Sequence, residues 1–485
     1  MLLEQLLKGV TYSEAVGTTD REIASLTYDS RTVGAGACFF AIAGTKTDGH
    51  DYIASAVGAG AAAVVCEHLP AEGVAEGCTY IVVGDSSRAM ATIASNFYGN
   101  PSRRMKVVGV TGTNGKTTIA TLLYDLVRAL GHKAGLISTV VYKIDDRSIT
   151  STHTTPDTLR LNEMMGEMAD CGCEYCFMEC SSHAIVQERI AGIEFAGALF
   201  TNLTHDHLDY HKTFAEYVRA KKLFFDNLPA TAFALVNADE RNGSVMLQNT
   251  VAHKYTLSLR SMADFRCKII EMIADGMNLR MDGRDVWVHF LGRFNAYNLL
   301  TVYGAAVLLG FDREQVLVAL SNLHPVSGRF EAVTAKDRTM AIVDYAHTPD
   351  ALENVIQTID ERRRKGQRLI VLCGCGGDRD KTKRPEMAAI AVKYADLAIF
   401  TSDNPRTENP DDILRDMEAG VEAGSRYMKI VDRNEAIKTA VMLSQPGDII
   451  LIAGKGHEDY QIIGTERHHF NDKECVKGWS EKLGR

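Results

Sequence analysis

The chain has 485 residues, of which 46% are hydrophobic and 24% charged, with only 10 Pro, a make-up that excludes disordered and fibrous classes. At roughly 150 residues per domain, this length predicts about three domains. A net charge of −9 removes the general electrostatic reason for binding nucleic acid, so an anionic substrate must be met by local basic sites.

The opening MLLEQLLKGV carries Glu4 and lacks a basic segment followed by a long apolar one, and no run of about 18 apolar residues occurs later. A cytoplasmic protein without membrane insertion is expected. The 11 Cys are scattered and odd in number, which fits reduced thiols better than a disulfide framework. Cys171, Cys173, Cys176 and Cys180 could suggest a metal site, but YCFMEC (175–180) has the look of a buried strand in which Cys packs as a small hydrophobe.

The first hundred residues are rich in turns and end at Asn100-Pro101-Ser102, which predicts a boundary near 100. Then come the apolar strand KVVGV (106–110), a Gly-rich loop, and TTIATLLYDLVRAL (117–130) with apolar residues at helical spacing. Further strands at HKAGLIST, YCFMEC and FAGALFTNL alternate with helices, the pattern of a covered parallel sheet. From about 330 a second alternation begins, with strands in TMAIVDYAH, RLIVLCGCGG, LAIFTSDNP, YMKIV and DIILIAGKGHE and helices in PDALENVIQTIDERRR, RPEMAAIAVKYA and DDILRDMEAGVEA. The expected fold is α/β in three domains: 1–100, 101–330 with a P-loop ATPase-like parallel sheet, and 331–485 with a Rossmann-like open sheet.

Gly112-Thr113-Asn114-Gly115-Lys116-Thr117-Thr118 lies between a predicted strand and a predicted helix, the context a phosphate loop requires. Its glycines let backbone N–H groups turn towards phosphate oxygens, Lys116 can reach the β- and γ-phosphates, and Thr117 can ligate Mg²⁺. Glu179 and the His-rich loop His205–His211 follow other strands, so a carboxylate and an imidazole can converge on this loop. Taken alone, Glu179 could equally be an ion-pair partner and the His-rich loop a zinc site or solvated turn.

The phosphate loop, ECSSH (179–183), NLTHDHLDYH (202–211), GRFNAYN (292–298), SGRFE (327–331), DYAHTP (344–349) and GKGHEDYQ (454–461) together resemble the Mur ligases, in the right order over nearly the whole chain. Folylpolyglutamate synthases share the nucleotide loop, so that loop alone names only the superfamily. The resemblance implies a UDP-binding domain, a central ATPase domain and an amino-acid-binding domain. It also implies peptide synthesis through an acyl phosphate, with ATP as co-substrate, UDP-N-acetylmuramoyl-L-Ala-D-Glu as acceptor and two Mg²⁺ ions. By similarity Lys116, Thr117, Glu179 and His207 serve phosphate and metal, and Asn295, Arg329 and Asp344 are nucleotide contacts. Lys221 is the implied carbamylated lysine, its carbamate formed from CO₂, although Lys222 adjoins it. Tyr28, Ser30, Thr45, Lys46 and Thr47 match positions that hold the UDP moiety, and His153, Thr154, Thr155, Ser181, Gln187 and Arg189 match those that hold the muramyl peptide. A monomer is expected.

Asp403-Asn404-Pro405-Arg406 is similar to the stretch in family members that add meso-diaminopimelate. That amino acid carries a distal carboxylate beside its distal amine, whereas lysine carries only the amine. A guanidinium suits the first and repels the second. Arg406 is expected on the carboxylate and Asp403 or Asn404 near the amine, with Arg379, Gly454 and Glu458 as the remaining contacts. GCGG (374–377) lacks the third Gly of a dinucleotide fingerprint. A lysine-adding ligase and a folylpolyglutamate-synthase-like enzyme are the enzymatic alternatives. A silent nucleotide-binding scaffold is the non-enzymatic one, against which the intact Lys116, Glu179, His207 and Lys221 argue.

Overall fold

The computed structural model describes residues 1–44, 47–71, 73–204, 206, 208–273 and 275–484, without the side chains of 208 and 209. Val, Ile, Leu and Ala runs too short for helices form strands buried on both faces, such as Lys106–Thr111 and Ile449–Ala453, and helices cover them. The result is an α/β protein built on three main sheets. The first has five strands, in the order Tyr12–Val16, Thr79–Val83, Ala63–Cys66, Ala37–Phe40, Ser25–Thr27, all parallel except the first.

The central sheet has eleven strands. Its parallel core runs Phe265–Ile273, His253–Ser258, Phe233–Asn237, Phe195–Phe200, Lys106–Thr111, Tyr175–Glu179, Ala134–Ile137. Antiparallel strands flank it at both edges, Gly276–Met281 and Arg284–Val288 on one side, Val141–Ile144 and Arg147–Thr150 on the other. Lys106–Thr111 lies at the switch point where the chain turns from one half of the sheet to the other, the place where ligands bind in such sheets. The helix Arg293–Leu308 buries residues on every side, as an apolar helix between layers must.

Gly109 shows how packing sets the site. A Cβ there would lie 2.5 Å from the Phe224 ring and 2.8 Å from Cys180 Sγ. Only glycine lets the helix Phe214–Asp226 approach the central strand closely. Cys176 and Cys180 are wholly buried, as the strand expectation for YCFMEC implied.

The third sheet runs Glu331–Thr334, Met340–Asp344, Ile449–Ala453, Leu369–Cys373, Leu397–Phe400, Tyr427–Lys429, parallel apart from the first strand. The helix expected to run through ERRR stops at Asp360, and Arg363 folds back on Asp360 and Asp396. The next but one ends at Glu418 instead of continuing to 423.

At the C-terminal edge of this sheet, Arg433 and Asp472 form a fully buried pair, with Nε–Oδ1 and Nη2–Oδ2 both 2.7 Å. Arg433 also donates to the carbonyls of Ser402 and Ala453, tying together the loops that follow two strands. Breaking such a pair strands a buried charge. Arg433→Met is therefore expected to destabilise the C-terminal unit by about 3–5 kcal/mol, measured by urea unfolding, whereas the double change Arg433→Met with Asp472→Leu should recover most of the loss.

Candidate functional site: a cavity between two sheet edges

The C-terminal strand edges of the central and third sheets face one cavity of about 410 Å³, lined by Thr113–Thr118, Glu179, Lys221, Arg329, Asp344 and His347 among others. Its volume suits a small-molecule ligand. On one wall the phosphate loop turns between Lys106–Thr111 and the helix Lys116–Ala129. Gly112 has φ +147°, and a Cβ there would sit 1.9 Å from Thr201 Oγ1. The helix begins at Gly115 with no side-chain cap, so its first N–H groups stay open to an anion. By contrast, Asp157 caps the helix Thr158–Asp170 with two hydrogen bonds.

Lys116 Nζ donates to the carbonyls of Gly112 (2.9 Å) and Thr113 (2.8 Å), and Lys221 Nζ donates to the same Gly112 carbonyl at 2.9 Å. Burial lowers the pKa of Lys116, against the pull of Glu179 and Asp206. Burial, then the neighbouring Lys116, holds Lys221 well below the ordinary lysine range, which favours the neutral amine. Helix phase separates Lys221 from Lys222: Tyr217, Lys221, Phe224 and Phe225 share the buried face, while Lys222 pairs with Asp226 at 2.6 Å. Glu179, 1% exposed, accepts from the Thr139 N–H at 2.7 Å. Thr117 Oγ1 accepts from Arg329 Nη2 at 3.0 Å. Thr118 is buried on the first turn of the helix. His207 lies outside the described residues. Among the described residues, no three His, Cys, Asp or Glu side chains are grouped to hold a metal.

The opposite wall comes from the third sheet. Asp344 ends the strand Met340–Asp344 and accepts from the N–H groups of Phe330 (2.6 Å) and Ala346 (2.8 Å), with burial raising its pKa. Arg329 lies 4.4 Å over the Tyr345 ring, and its Nε is buried without a partner. Asn295 is buried, donating to the Leu291 carbonyl and accepting from Asn298. Across the cavity Asn114 Nδ2 donates to Asp350 at 3.1 Å, and Lys383 lies 3.7 Å from Asp206.

Around Glu179, Thr155 Oγ1 donates to its carbonyl at 2.8 Å and receives the Ser181 N–H at 3.2 Å, and Thr154 accepts from Thr139 Oγ1 at 3.0 Å. Arg189 forks onto Gln187 Oε1 (2.6 and 3.0 Å) and donates to the Thr155 carbonyl. The His153 carbonyl accepts from Tyr142 Oη, while the His153 ring is exposed. Tyr28 of the first sheet's edge is exposed and within electrostatic reach of Arg189 and Asp157. Ser30 opens a short 3₁₀ turn capped by Asp29, whose carboxyl is lowered to about 2 by its hydrogen bonds from Arg31. Thr47 is exposed. Thr45 and Lys46 lie outside the described residues.

The third sheet's strand ends also gather a second charged cluster. Arg406 has φ +52°, a costly conformation for any residue with a Cβ. It is held by Arg406 N to the Ile462 carbonyl (3.1 Å), Gly464 N to the Arg406 carbonyl (2.8 Å) and Arg406 Nη1 to the Gly377 carbonyl (2.8 Å). Burial, then Arg379, lowers the Arg406 pKa, so two guanidinium groups repel across this loop. Burial, then Asp403, raises that of Glu458, so two carboxylates do the same beside them. Gly454 lies under Asp403, 2.6 Å separating Asp403 Oδ2 from where its Cβ would be. Asn404 is not a loose polar group at the amine. Its oxygen accepts from Lys455 (3.1 Å) and the Ile462 N–H (2.9 Å), and its nitrogen donates to Glu458 (2.8 Å). These three side-chain hydrogen bonds, with Pro405 buried beside it, make it the scaffold of the loop.

Three family profiles match in succession: Mur ligase family, catalytic domain, at residues 22–98; Mur ligase middle domain at 110–306; and Mur ligase, glutamate ligase domain, at 328–456. Over 98% of its length the chain is 54% identical to the UDP-N-acetylmuramoyl-L-alanyl-D-glutamate–2,6-diaminopimelate ligase of Phocaeicola vulgatus, 99% of which is covered. The chain belongs to the Mur ligase family. A protein of the same name from Bacteroides thetaiotaomicron is also 54% identical, with 98% of this Mur ligase and 99% of the relative covered. A solved structure of such a ligase is 31% identical with a TM-score of 0.70, covering 100% of this chain and 99% of the other. Two lysines of this Mur ligase stood beside recognised motifs without an assigned part: Lys383 in DKTKRP and Lys455 in GKGH. Their roles depend on contacts across the cavity and between loops, which no local spacing encodes.

Gly112→Ala is expected to introduce about 1–3 kcal/mol of strain where the loop meets Thr201, weakening ATP binding by about tenfold or more. Isothermal titration with ATP and Mg²⁺ would measure it. Unchanged affinity would show that the loop's glycine conformation is not required.

Proposed function

We propose that this protein joins meso-diaminopimelate to the γ-carboxylate of D-Glu in UDP-N-acetylmuramoyl-L-Ala-D-Glu, at the expense of ATP, in cytoplasmic synthesis of peptidoglycan precursors. The observation that carries this is the cluster of two guanidinium groups, Arg379 and Arg406, beside two carboxylates, Asp403 and Glu458. Lys455 pairs with Glu458 at 3.0 Å, while the repulsion between the two guanidinium groups is what a ligand carboxylate would relieve, its ammonium meeting the carboxylates beside them. The names of the relatives point to the same amino acid. With lysine, the guanidinium pair would face an ammonium. On this reading residues 1–100 hold the UDP moiety through Tyr28, Ser30 and Thr45–Thr47, residues 101–330 hold ATP and the muramyl peptide, and residues 331–485 hold the amino acid. A monomer suffices for this arrangement.

In the first step the D-Glu carboxylate attacks the γ-phosphorus, the bond to the β-phosphate oxygen breaks, and ADP leaves. Lys116, released from the Gly112 and Thr113 carbonyls, meets the γ-phosphate, and the open helix N-terminus meets the β-phosphate. Arg329, whose Nε lacks a partner, and Asp344 hold the nucleotide at the junction. Arg189 and Ser181 hold the peptide beside Glu179. In the second step the amine attacks the acyl phosphate carbonyl, the C–N bond forms and phosphate departs. Mg²⁺, when bound, neutralises charge on the transferring phosphoryl group; Thr117 and Glu179, which line the cavity, would hold that ion, with His207 joining them by family resemblance. Lys221 fits a second: its buried neutral amine is the form that adds CO₂, giving a carbamate with hard oxygen donors.

Phosphate release is expected to require the UDP-dipeptide and meso-diaminopimelate together, with L-lysine a poor competitor. ATP binding without turnover under those conditions would favour a scaffold, and lysine turnover at equal efficiency would favour a lysine-adding enzyme. Arg406→Ala should raise KM for meso-diaminopimelate by about a hundredfold, in keeping with the loss of a desolvated charge pair, and leave the ATP Kd within about twofold; parallel losses would contradict the assignment. Removing CO₂ and bicarbonate should lower kcat reversibly, and ¹³C-bicarbonate should give a carbamate resonance in wild type that is absent from Lys221→Ala.

A further inference from the structure

His347 follows the strand Met340–Asp344 and lines the cavity, yet neither nucleotide nor amino-acid binding uses it above. Its Nδ1 lies 2.9 Å from the Tyr345 carbonyl oxygen. A carbonyl can only accept, so Nδ1 carries the hydrogen and Nε2 carries a lone pair. The ring stands edge-on to Tyr345 at 4.7 Å, and Tyr345 is also covered by Arg329 at 4.4 Å and by the His457 ring at 5.1 Å. The charged groups that act on the imidazole are Lys383 at the start of its helix, Asp206 after the strand Phe195–Phe200, and Arg329 ahead of the third sheet.

This position joins the two ends of the reaction. Asp206 and Lys116, on the phosphate side, interact with each other, while Tyr345 is within electrostatic reach of Glu458 and Asp403, on the amino-acid side. His347, against Tyr345 and within electrostatic reach of Asp206, lines the cavity in which the other amine of an amino acid seated by its distal end would meet an acyl phosphate formed beside Lys116.

Resting on the ligase reading, we propose that His347 Nε2 is the base that takes the proton shed by nitrogen as the amide bond forms. The incoming ammonium first loses one proton to bulk water. The nitrogen lone pair of the resulting amine forms the C–N bond, and the tetrahedral centre collapses. The C–O bond to phosphorus-bound oxygen breaks, and phosphate leaves with the electron pair. The remaining excess proton on nitrogen moves to Nε2, and the imidazolium, facing Asp206, returns it to water. Burial, then Lys383, lowers the His347 pKa to about 4, so the imidazole stays unprotonated at neutral pH. Such a base cannot deprotonate an α-ammonium of pKa about 8, but the nitrogen of a collapsing tetrahedral intermediate is a far stronger acid.

His347→Asn keeps a donor for the Tyr345 carbonyl and removes Nε2. In rapid-quench single turnovers, His347→Asn should form acyl phosphate within about threefold of the wild-type rate and amide about a hundredfold more slowly, with KM for meso-diaminopimelate within about threefold. Acyl phosphate formation in the same sample reports an intact fold. Added imidazole should partly restore amide formation in His347→Ala, in proportion to its free-base fraction. Wild-type amide formation in His347→Asn, or equal loss of both steps, would overturn the proposal. If wild type itself formed no amide, the ligase reading would fall, and this step with it.

Discussion

Two lysine ammonium groups cannot comfortably share one carbonyl oxygen, and at Gly112 two lysine side chains do share one. Lys116 and Lys221 both donate to it at 2.9 Å within a buried setting. Repulsion between them, added to desolvation, favours losing one proton, and Lys221 is the more strongly affected. The arrangement therefore concentrates potential positive charge at the turn where a triphosphate would sit, in a chain whose net charge is −9. The surrounding fold makes that crowding possible. Gly109 admits the helix bearing Lys221, Gly112 shapes the loop against Thr201, and the sheet's switch point leaves the cleft above them open.

The second requirement is that a carboxylate, a triphosphate and an amine meet with little water present. Two sheets answer it by turning their C-terminal edges to one cavity. Asn114–Asp350 and Asp206–Lys383 bridge the walls, and Arg329 reaches from the segment between the sheets to Thr117 on the phosphate-loop helix. Two of the buried polar atoms without partners among the described residues, Arg329 Nε and His457 Nδ1, lie in that same junction around Tyr345. Buried polar atoms are seldom left unmatched, so the junction has capacity for groups that a ligand or water would bring.

Much of this was legible in the sequence because the chemistry was local. The phosphate loop is contiguous and flanked by a strand and a helix, and the Asp403–Arg406 stretch carries its charges within four residues. The α/β alternation of the middle and last thirds followed from apolar runs and helical spacing, whereas the antiparallel flanks of the central sheet are short, half-exposed strands with weak patterns. Choosing Lys221 over Lys222 needed helix phase against a packed face. Asn404, open to a direct role at the amine when judged by chemistry alone, became the loop's scaffold once Lys455, Glu458 and the Ile462 N–H were seen around it. Pairings separated by hundreds of residues, such as Asn114 with Asp350, had no sequence signal at all.

The Asp403–Arg406 cluster and the phosphate loop are on different sheets, so on the proposed reading selecting the amino acid and protecting the acyl phosphate depend on how those two sheets meet at the cavity. Arg433 ties the Ser402 and Ala453 carbonyls, and Asn404 ties the following loops to each other. That stiffness holds Arg406 in a left-handed backbone conformation with its guanidinium beside Arg379. Two cations set close together on a rigid frame gain most from a ligand carboxylate, since neither can move away to relieve the repulsion. The same rigidity carries Tyr345 and His347 on the neighbouring strand end, so an amino acid seated by charge is also seated in register with the cavity where its amine must react.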